Sequence, residues 1–294
     1  MTHSPWIWAG VLSFTTSLEL LTGCLSTAEP KAPVPGVVSR WSTEFSRIDW
    51  MSEWSPKKTG SFGRDNTSVE EDAQSPGGRF LRVRYYKGGA SPSASRRDGV
   101  REGGAQVLGT FESGPVDHVF LRYFVRFPAN FDFVKGGKLP GFYGGARISG
   151  GHIPDGTNGF STRFMWRSNG QGEVYAYLPS STRFGTSLGR GSWLFVREQW
   201  QCIEQELKLN TPGAADGSVH VWLDGKPVYQ NEQLLFRTTS SLRAEGVFFS
   251  TFFGGGDSSW APPSDTYADF AAFAVGPTRV GCDLAGSVQA ETKP

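Results

Sequence analysis

Eight short apolar segments, separated by turn residues, constrain the fold of this chain more than any other feature. In several segments, such as residues 80–86, apolar and polar residues alternate, which is the period of a β-strand with one buried face. Asp224-Gly225, between VHVWL and KPVYQ, predicts a tight hairpin. Together these patterns predict an all-β chain, a single-domain antiparallel β-jelly roll of two packed sheets with few short helices. The eight segments are residues 80–86, 118–127, 160–167, 173–178, 199–209, 219–223, 246–253 and 270–275.

Composition supports this prediction and limits the classes of binding partner that the chain is expected to have. The 38 glycines, 22 phenylalanines and 10 tryptophans suit strands and turns better than a helical bundle. The 29 basic and 28 acidic residues leave a net charge of +1, so bulk charge does not indicate a nucleic-acid partner. With so little net charge, binding of an acidic ligand would require cations that are concentrated at one place on the protein. We also expect a monomer.

The N-terminus differs from the rest of the chain. Residues 1–24 contain the mostly apolar run WIWAGVLSFTTSLELLTGC, whose last four residues, Leu-Thr-Gly-Cys24, resemble the lipidation motif of a bacterial lipoprotein signal. The segment before this run lacks Lys and Arg, and Glu19 interrupts the run, which departs from the usual signal pattern. An ordinary cleaved signal with an incidental cysteine is the alternative. We expect an exported protein, lipid-anchored at the bacterial cell envelope through Cys24 or else secreted, with no other membrane contact.

The remaining boundaries follow from composition. Residues 25–40 form a Pro-rich tether, residues 41–284 the jelly-roll domain, and residues 285–294 a tail predicted to be disordered. If Cys24 is lipidated, Cys202 and Cys282 remain. In an exported protein they are candidates for a disulfide, and two free, buried thiols are the equal alternative.

The segment FSTRFMWRSNGQGEVYAYLP, residues 160–179, predicts a hairpin with chemistry on one face. With its turn centred on Gly170, Arg163 lies opposite Tyr177 and Met165 opposite Tyr175. The other face is mostly apolar and suits the core. The predicted polar face collects Ser161, Arg163, Arg167, Tyr175 and Tyr177.

These residue types suit β-elimination on a polymer of uronic acids. Arginine cannot act as a base at ordinary pH, but it can hold a carboxylate. A tyrosine beside cations can accept a proton as phenolate, and a neutral tyrosine can donate one. Neutralising the C6 carboxylate acidifies the C5 proton, and the developing enolate-like charge needs cations placed in advance.

Three stretches resemble polysaccharide lyase family 14: FDFVKGGKLPGFYGG, FSTRFMWR with GEVYAY, and FFSTFFGGGDSSWAP. The resemblance covers about residues 41–283 and implies a β-jelly roll that cleaves alginate or glucuronan, an acidic polysaccharide. It also implies that Lys138, in a glycine-rich loop at residues 136–145, reaches the hairpin face. The site residues that it implies are Lys138, Ser161 and Arg163 around the carboxylate and Tyr175 and Tyr177 as the acid/base pair.

The resemblance departs at two positions. Ile148 and Gly159 stand where similar proteins carry cysteines, so the loop at residues 149–159 is expected to be looser. His152 in that loop is a candidate subsite residue or auxiliary base, although a solvent-exposed loop histidine is the more frequent situation. The other candidate substrate contacts are Tyr143, Arg167 and Trp260.

Two other functions compete with the lyase. A non-catalytic module that binds acidic polysaccharide would use the same cations and aromatics, but it would not require two tyrosines for proton transfer. A jelly-roll glycoside hydrolase needs two carboxyl groups about the scissile bond. Glu204 and Glu206 share a strand face, but that face is interpreted as a solvated side of an ordinary strand.

No cofactor is required by this chemistry, and no metal site is predicted. The four histidines are scattered without metal-ligand spacing. Asp257 or Asp265, in GGGDSSWAPPSD, would be the ligands of a structural calcium, but a Gly/Pro/Ser surface loop is the preferred interpretation of that segment.

Overall fold

Two antiparallel β-sheets make up the described part of the chain. The structure is a computed structural model, and it describes residues 41–43, 45, 49–57 and 59–284. The strands are β1 (Trp41–Thr43), β2 (Thr67–Glu71), β3 (Arg79–Tyr85), β4 (Ala105–Leu108), β5 (His118–Arg126), β6 (Gly136–Gly145), β7 (Gly159–Arg167), β8 (Gly172–Tyr177), β9 (Thr186–Leu188), β10 (Gln201–Lys208), β11 (Gly217–Leu223), β12 (Lys226–Leu234), β13 (Gly246–Phe253) and β14 (Thr266–Gly276). A short helix α1 (Pro92–Arg97) and four 3-10 turns (Trp50–Trp54, Arg64–Asn66, Ser168–Gly170, Ser258–Trp260) complete the described elements.

The strand order is that of a two-sheet sandwich. The larger sheet runs β12-β11-β10-β5-β14-β3-β2, with β1 pairing to β14, and the smaller runs β4-β13-β6-β7-β8-β9. Half of the twelve neighbouring pairs among the described strands join strands that are distant in sequence, as in a jelly roll rather than a meander. The all-β jelly-roll prediction is confirmed, and each of the eight predicted segments lies on a strand.

Aromatic side chains fill the space between the sheets. Tyr123 of β5 stacks on Phe273 of β14 at 4.7 Å, and Trp166 of β7 meets Phe253 of β13 edge to face at 5.3 Å. Burying a side chain of this size contributes about 1.5–3 kcal/mol. The apolar face predicted for the 160–179 hairpin belongs to this core, since Phe160, Phe164, Trp166, Val174, Ala176 and Leu178 are all buried in it.

The predicted hairpin at Asp224-Gly225 is confirmed. It joins β11 to β12, and both residues adopt positive φ, 49° and 77°. Two successive residues of positive φ are what a type I′ turn requires, and Asp-Gly is among the pairs that tolerate them best.

The prediction of a loop at residues 136–145 is wrong, because these residues form β6 inside the smaller sheet. Glycine is needed there for close packing. A Cβ on Gly137 would lie 2.0 Å from the Trp166 ring, and one on Gly141 would lie 2.1 Å from the Thr162 carbonyl oxygen. The absence of a Cβ at these glycines therefore lets an indole ring and a neighbouring backbone pack directly against the strand.

The C-terminal end of the domain is fastened to β10. Cys202 and Cys282 form a disulfide across a sequence separation of 80 residues. Glu204 is fully buried, and its carboxylate accepts hydrogen bonds from the Val280 amide at 2.6 Å and from Arg279 Nε at 3.1 Å. The prediction that Glu204 lies on a solvated side is therefore wrong, since the chain after β14 covers it.

The predictions for the chain ends are not addressed by this structure. The signal segment 1–24 with its lipidation candidate Cys24, the tether 25–40 and the tail 285–294 lie outside the described residues. Among the residues that are described, none belongs to a helix long and apolar enough to span a membrane.

Candidate active site

The hairpin of β7 and β8 forms with a register two residues from the predicted one. Arg163 lies opposite Tyr175, and Ser161 lies opposite Tyr177. The shift arises because the turn centres on Asn169, which adopts a positive φ of 58°, and not on Gly170. Since side chains alternate with a period of two, this shift keeps every residue on its predicted face.

A bulge in β6 turns Lys138 toward the polar face of this hairpin. The register with β7 shifts between Leu139 and Gly141, so Pro140 is the extra residue. Proline is tolerated in a strand at such a position, where a ladder hydrogen bond is already lost. Lys138 pairs with Met165, and its Nζ lies 2.7 Å from the Met165 sulfur. Without the extra residue, Lys138 would share a face with core residues of the strand's second half.

A cleft of about 770 Å³ opens on this face of the smaller sheet. It contains four residues that the sequence predicted for catalysis: Lys138, Arg163, Tyr175 and Tyr177. Arg167 and Trp260 line it too. The other lining residues are Phe62, Ser91, Pro92, Ser93, Arg96, Gln106, Ser149, Gly150, Met165, Phe184, Gly185, Ser187, Phe252, Gly254, Gly255 and Gly256.

Lys138 is the lysine that lines this cleft. Its Nζ lies over the Tyr175 ring, 3.5 Å from the centroid. Burial lowers the pKa of Lys138 well below its usual value, the charges of Arg163 and Arg167 lower it further, and the carboxylate of Glu173 opposes them. Burial and the neighbouring arginines disfavour the charged form of Lys138, so a negatively charged ligand that binds beside it would be stabilising.

Arg163 is almost fully buried beneath the same face. Its Nη1 donates to Ser250 Oγ at 3.1 Å, and its guanidinium lies 4.4 Å from the centre of the Phe248 ring. Its Nε is buried and has no hydrogen-bond partner. Burial lowers the pKa of Arg163 to about 10, an effect partly opposed by Tyr177 and Tyr175, so the group stays cationic at neutral pH.

The two tyrosines meet edge to face, with ring centroids 5.6 Å apart. Each phenolic oxygen accepts a hydrogen bond from a backbone amide at 3.1 Å, Tyr175 from Gly185 and Tyr177 from Gly151. Burial raises the pKa of Tyr175, and the neighbouring Tyr177 raises it further. Tyr175 is therefore protonated at neutral pH.

Arg167 lines the cleft and is held by a carboxylate. Its Nε and Nη2 lie 2.8 and 2.6 Å from Glu173 Oε1. Its guanidinium also lies between two rings, 5.5 Å from the centre of Tyr175 and 5.8 Å from that of Trp260. Much of the donor capacity of Arg167 is thus already used within the protein.

Two predicted substrate contacts are not available in this geometry. Ser161 is fully buried and its Oγ donates to the Ile148 carbonyl at 2.7 Å, so the hydroxyl fastens the start of the 149–159 loop. Tyr143 is also fully buried and packs with Leu108 and Phe248, so its ring cannot stack on a sugar. The bulge in β6 places Tyr143 on the same face as the site, but other side chains cover it.

The loop at residues 149–159 is held by several hydrogen bonds although it lacks the cysteines of similar proteins. The Gly151 amide donates to Tyr177, and Asp155 Oδ1 accepts from the Thr157 and Asn158 amides at 2.7 and 3.0 Å. His152 is exposed, and its Nδ1 lies 3.0 Å from the Ser149 carbonyl oxygen. It is not among the residues that line the cleft.

The calcium candidates serve local structure. Asp257 Oδ1 accepts from the Ser259 amide at 2.9 Å, and Asp265 Oδ1 accepts from the Lys87 amide at 2.8 Å. Across the described residues, no group of three or more His, Cys, Asp or Glu side chains is placed to hold a metal ion.

Sequence reasoning missed two residues of this region. Phe184 lines the cleft with 53% of its surface exposed, in a loop with no periodic pattern to mark it. Glu173 lies on β8 two residues before Tyr175, and this spacing of two was a signal that could have placed it on the same face.

Comparison with known proteins identifies what the chain resembles. The family model of polysaccharide lyase 14 matches residues 73–273. A marine alginate lyase of this family from Aplysia kurodai is 32% identical, with a TM-score of 0.69 over 81% of this chain and 98% of that chain. The fold is shared with an endo-β-1,4-glucuronan lyase of Trichoderma reesei, at 12% identity and a TM-score of 0.53 over 82% of this chain and 96% of that one.

One further relative is a longer protein that matches this chain over only part of its own length. Exolysin of Paramecium bursaria Chlorella virus 1 is 28% identical in an alignment 170 residues long that covers 47% of this chain. The match spans 26% of that relative's length, so about three quarters of that protein has no counterpart in the alignment.

Proposed function

Because the chain belongs to polysaccharide lyase family 14, we propose that this polysaccharide lyase cleaves a polyuronate, alginate in the first instance, by β-elimination. The similar protein from Aplysia kurodai is an alginate lyase and matches over most of both chains. Glucuronan is the alternative substrate. The two polymers both carry a C6 carboxylate and differ in sugar configuration, at C5 or at the C2 and C3 hydroxyls.

One observation carries the proposal: Lys138, Arg163, Tyr175 and Tyr177 converge in a single cleft. β-Elimination removes the C5 proton of the uronate and forms a C4=C5 double bond. The C4–O4 bond breaks, and a proton is delivered to the departing O4. The step therefore needs a cationic partner for the carboxylate, a base and an acid, and the cleft supplies these groups.

Lys138 and Arg163 are the proposed partners of the carboxylate. Both are cations in largely desolvated positions, where an arriving anion interacts more strongly than it would in water. The unpaired Nε of Arg163 leaves a donor unsatisfied in the free protein. As negative charge moves from C5 into the carboxylate, fixed cations stabilise it without having to reorganise.

Tyr175 and Tyr177 are the proposed proton-transfer pair. Tyr175 keeps its proton at neutral pH, because burial and Tyr177 raise its pKa, so it is the donor to O4. Tyr177 is then the proposed base, because it is the other phenol that lines the cleft.

A product assay tests this proposal. The purified full chain is mixed with mannuronate-rich alginate, guluronate-rich alginate and glucuronan, and the far-ultraviolet absorbance of the unsaturated uronide is followed. Mass spectrometry then distinguishes the unsaturated end, one water lighter than a hydrolysis product. Tyr177→Phe, purified in parallel, controls for contaminating lyases. Absence of the absorbance with all three polymers would reject the assignment.

The same assay separates the alternatives. A non-catalytic binding module would retain the polymers without producing absorbance. A glycoside hydrolase would release saturated ends, and it needs a carboxyl pair about the scissile bond. No Asp or Glu stands among the residues that line the cleft in the described chain, so elimination is the better supported chemistry.

We further propose that the chain acts outside the cytoplasm as a lipid-anchored monomer. The disulfide between Cys202 and Cys282 supports an oxidising compartment, where such bonds persist. Cell fractionation of the full chain and of Cys24→Ala tests the anchor. The variant should move from the membrane fraction to the soluble exported fraction, and equal membrane retention of both proteins would exclude lipidation at Cys24.

A further inference from the structure

Glu173 is a buried carboxylate that the proposed reaction does not use. It lies in a cross-strand row, because Met165 of β7 pairs with Lys138 on one side and with Glu173 on the other. Adjacent strands lie about 4.8 Å apart, so Glu173 is only two strands from Lys138. Side chains in one such row share a face of the sheet. An acidic group thus stands beside a cluster of cations, just outside the lining of the cleft.

The contacts of Glu173 account for both of its oxygens. Its side chain is fully buried. Oε1 accepts from Arg167 Nε and Nη2, at 2.8 and 2.6 Å, and Oε2 accepts from Ser187 Oγ at 2.7 Å. Because Arg167 lies 5.5 Å from the centre of the Tyr175 ring, the same ion pair also supports a proposed proton donor.

We propose that Glu173 is a positioning residue of this lyase: it fixes Arg167 against Tyr175 and holds a carboxylate in the same cross-strand row as Lys138. This inference rests on the proposed function, because it assigns Lys138 the task of meeting a uronate carboxylate. It differs from that function in naming a group that never touches the substrate.

The charges around Lys138 give the expected sign. Arg163 and Arg167 both lower the pKa of Lys138, as burial does, and Glu173 is the group that raises it. Removing the Glu173 charge would therefore let Lys138 lose its proton at lower pH. Removing the Arg167 charge would have the opposite effect. If the Glu173–Arg167 pair only supported the fold, removing one charge or the other would not shift the pKa of Lys138 in opposite directions.

Two single variants use these opposite signs. The pH profile of kcat/KM is measured on alginate for Glu173→Gln and Arg167→Gln, since this ratio reports ionisations of the free enzyme. The alkaline limb should move down by about one pH unit in Glu173→Gln, the lower end of the effect of a nearby charge. It should move up in Arg167→Gln. Arg167 also lowers the pKa of Tyr175, so the upward shift is expected whichever of the two groups sets the limb.

Further variants separate charge from packing. Glu173→Asp keeps the charge, so it should hold the alkaline limb near its original pH even if kcat falls. The double variant Glu173→Gln with Arg167→Gln removes both charges, and its limb should lie between those of the single variants. If Glu173→Gln does not fold, the inference is still tested by comparing the alkaline limb of Arg167→Gln with that of the double variant. The matched control is Glu204→Gln, another fully buried, arginine-paired glutamate, which should leave the profile unchanged.

The outcomes are distinct. Opposite shifts in the two single variants support the inference. An alkaline limb that stays at its original pH in every variant that folds overturns it while leaving the lyase assignment intact. An inactive original protein overturns the proposed function and this inference with it, so the two failures are distinguishable.

Discussion

Replacing Lys138 with methionine should make the protein more stable and much less active. Methionine matches the length of the lysine stem and can pack on Met165, whose sulfur Lys138 Nζ already contacts at 2.7 Å. It also removes a largely desolvated cation that is repelled by Arg163 and Arg167. Replacing such a charge by an apolar group often stabilises a fold, here by about 1 kcal/mol because Lys138 retains some exposure.

That gain corresponds to a rise in Tm of about 2–4 °C for a chain of this size. The loss of activity should be at least about 100-fold, the usual effect of removing one preorganised partner of a developing negative charge. Tm is measured by circular dichroism and activity by the absorbance of unsaturated uronide. The informative result is the opposite direction of the two changes, because damage to the fold would lower both.

The stability gain should also depend on pH. In the folded state the pKa of Lys138 lies well below its usual 10.5, whereas in the unfolded chain it returns to that value. Below the lowered pKa both states carry the proton, and the original protein bears the full penalty. As pH rises toward 10.5 only the folded state releases the proton, so its stability recovers. The difference in Tm between variant and original should therefore shrink with rising pH.

Lys57→Met is the matched control. Lys57 also lies near a tyrosine, 4.9 Å from the Tyr143 ring centre, but it pairs with Glu245 at 2.6 Å and does not line the cleft. Its replacement should leave activity unchanged and should not raise Tm. Full activity in Lys138→Met, or a lower Tm together with lower activity, would refute the reasoning about Lys138.

Three further predictions concern the proton-transfer pair, the rim of the cleft and the disulfide. Tyr177→Phe should abolish elimination while lowering the free energy of unfolding by only about 1 kcal/mol, because one hydrogen bond from the Gly151 amide is lost; urea unfolding and the absorbance assay measure both. Phe184→Ala should raise KM about fivefold or more with little change in kcat, since this exposed ring offers a sugar roughly 1 kcal/mol of contact; an unchanged KM would remove Phe184 from the binding site. Replacing Cys202 and Cys282 by serine should lower stability by about 2–4 kcal/mol, because the bridge closes a loop of 80 residues, but should leave activity at 25 °C intact.

The faces of the strands could be predicted from sequence, whereas their registers could not. Alternation placed Tyr175 and Tyr177 on one face of their strand, and the predicted hairpin brought the face with Arg163 beside it. The register depended on the conformation of Asn169 in the turn, which alternation does not encode. The predicted set survived the error because the shift was an even number of residues.

The strand β6 could not be predicted because its sequence has the composition of a loop. Its glycines are explained by groups far along the chain, such as the ring of Trp166 against Gly137. Pro140 reverses the alternation, so Lys138 and Tyr143 share a face despite an odd spacing. The burial of Tyr143 likewise depends on Phe248, which no local pattern brings to it.

The hydrogen bonds from Gly151 and Gly185 have a consequence for how this enzyme would respond to the length of its substrate. The two phenolic oxygens proposed to exchange protons with the sugar accept hydrogen bonds from two loops, not from the sheet. Beside those amides, Gly150 and Phe184 belong to the wall of the cleft. A sugar unit that contacts either loop therefore alters the hydrogen bond to a phenolic oxygen. This holds even when that unit lies several sugars away from the bond that is cleaved. Longer oligosaccharides should then gain in kcat as well as in affinity, because binding energy from remote sugars is expressed in the chemical step.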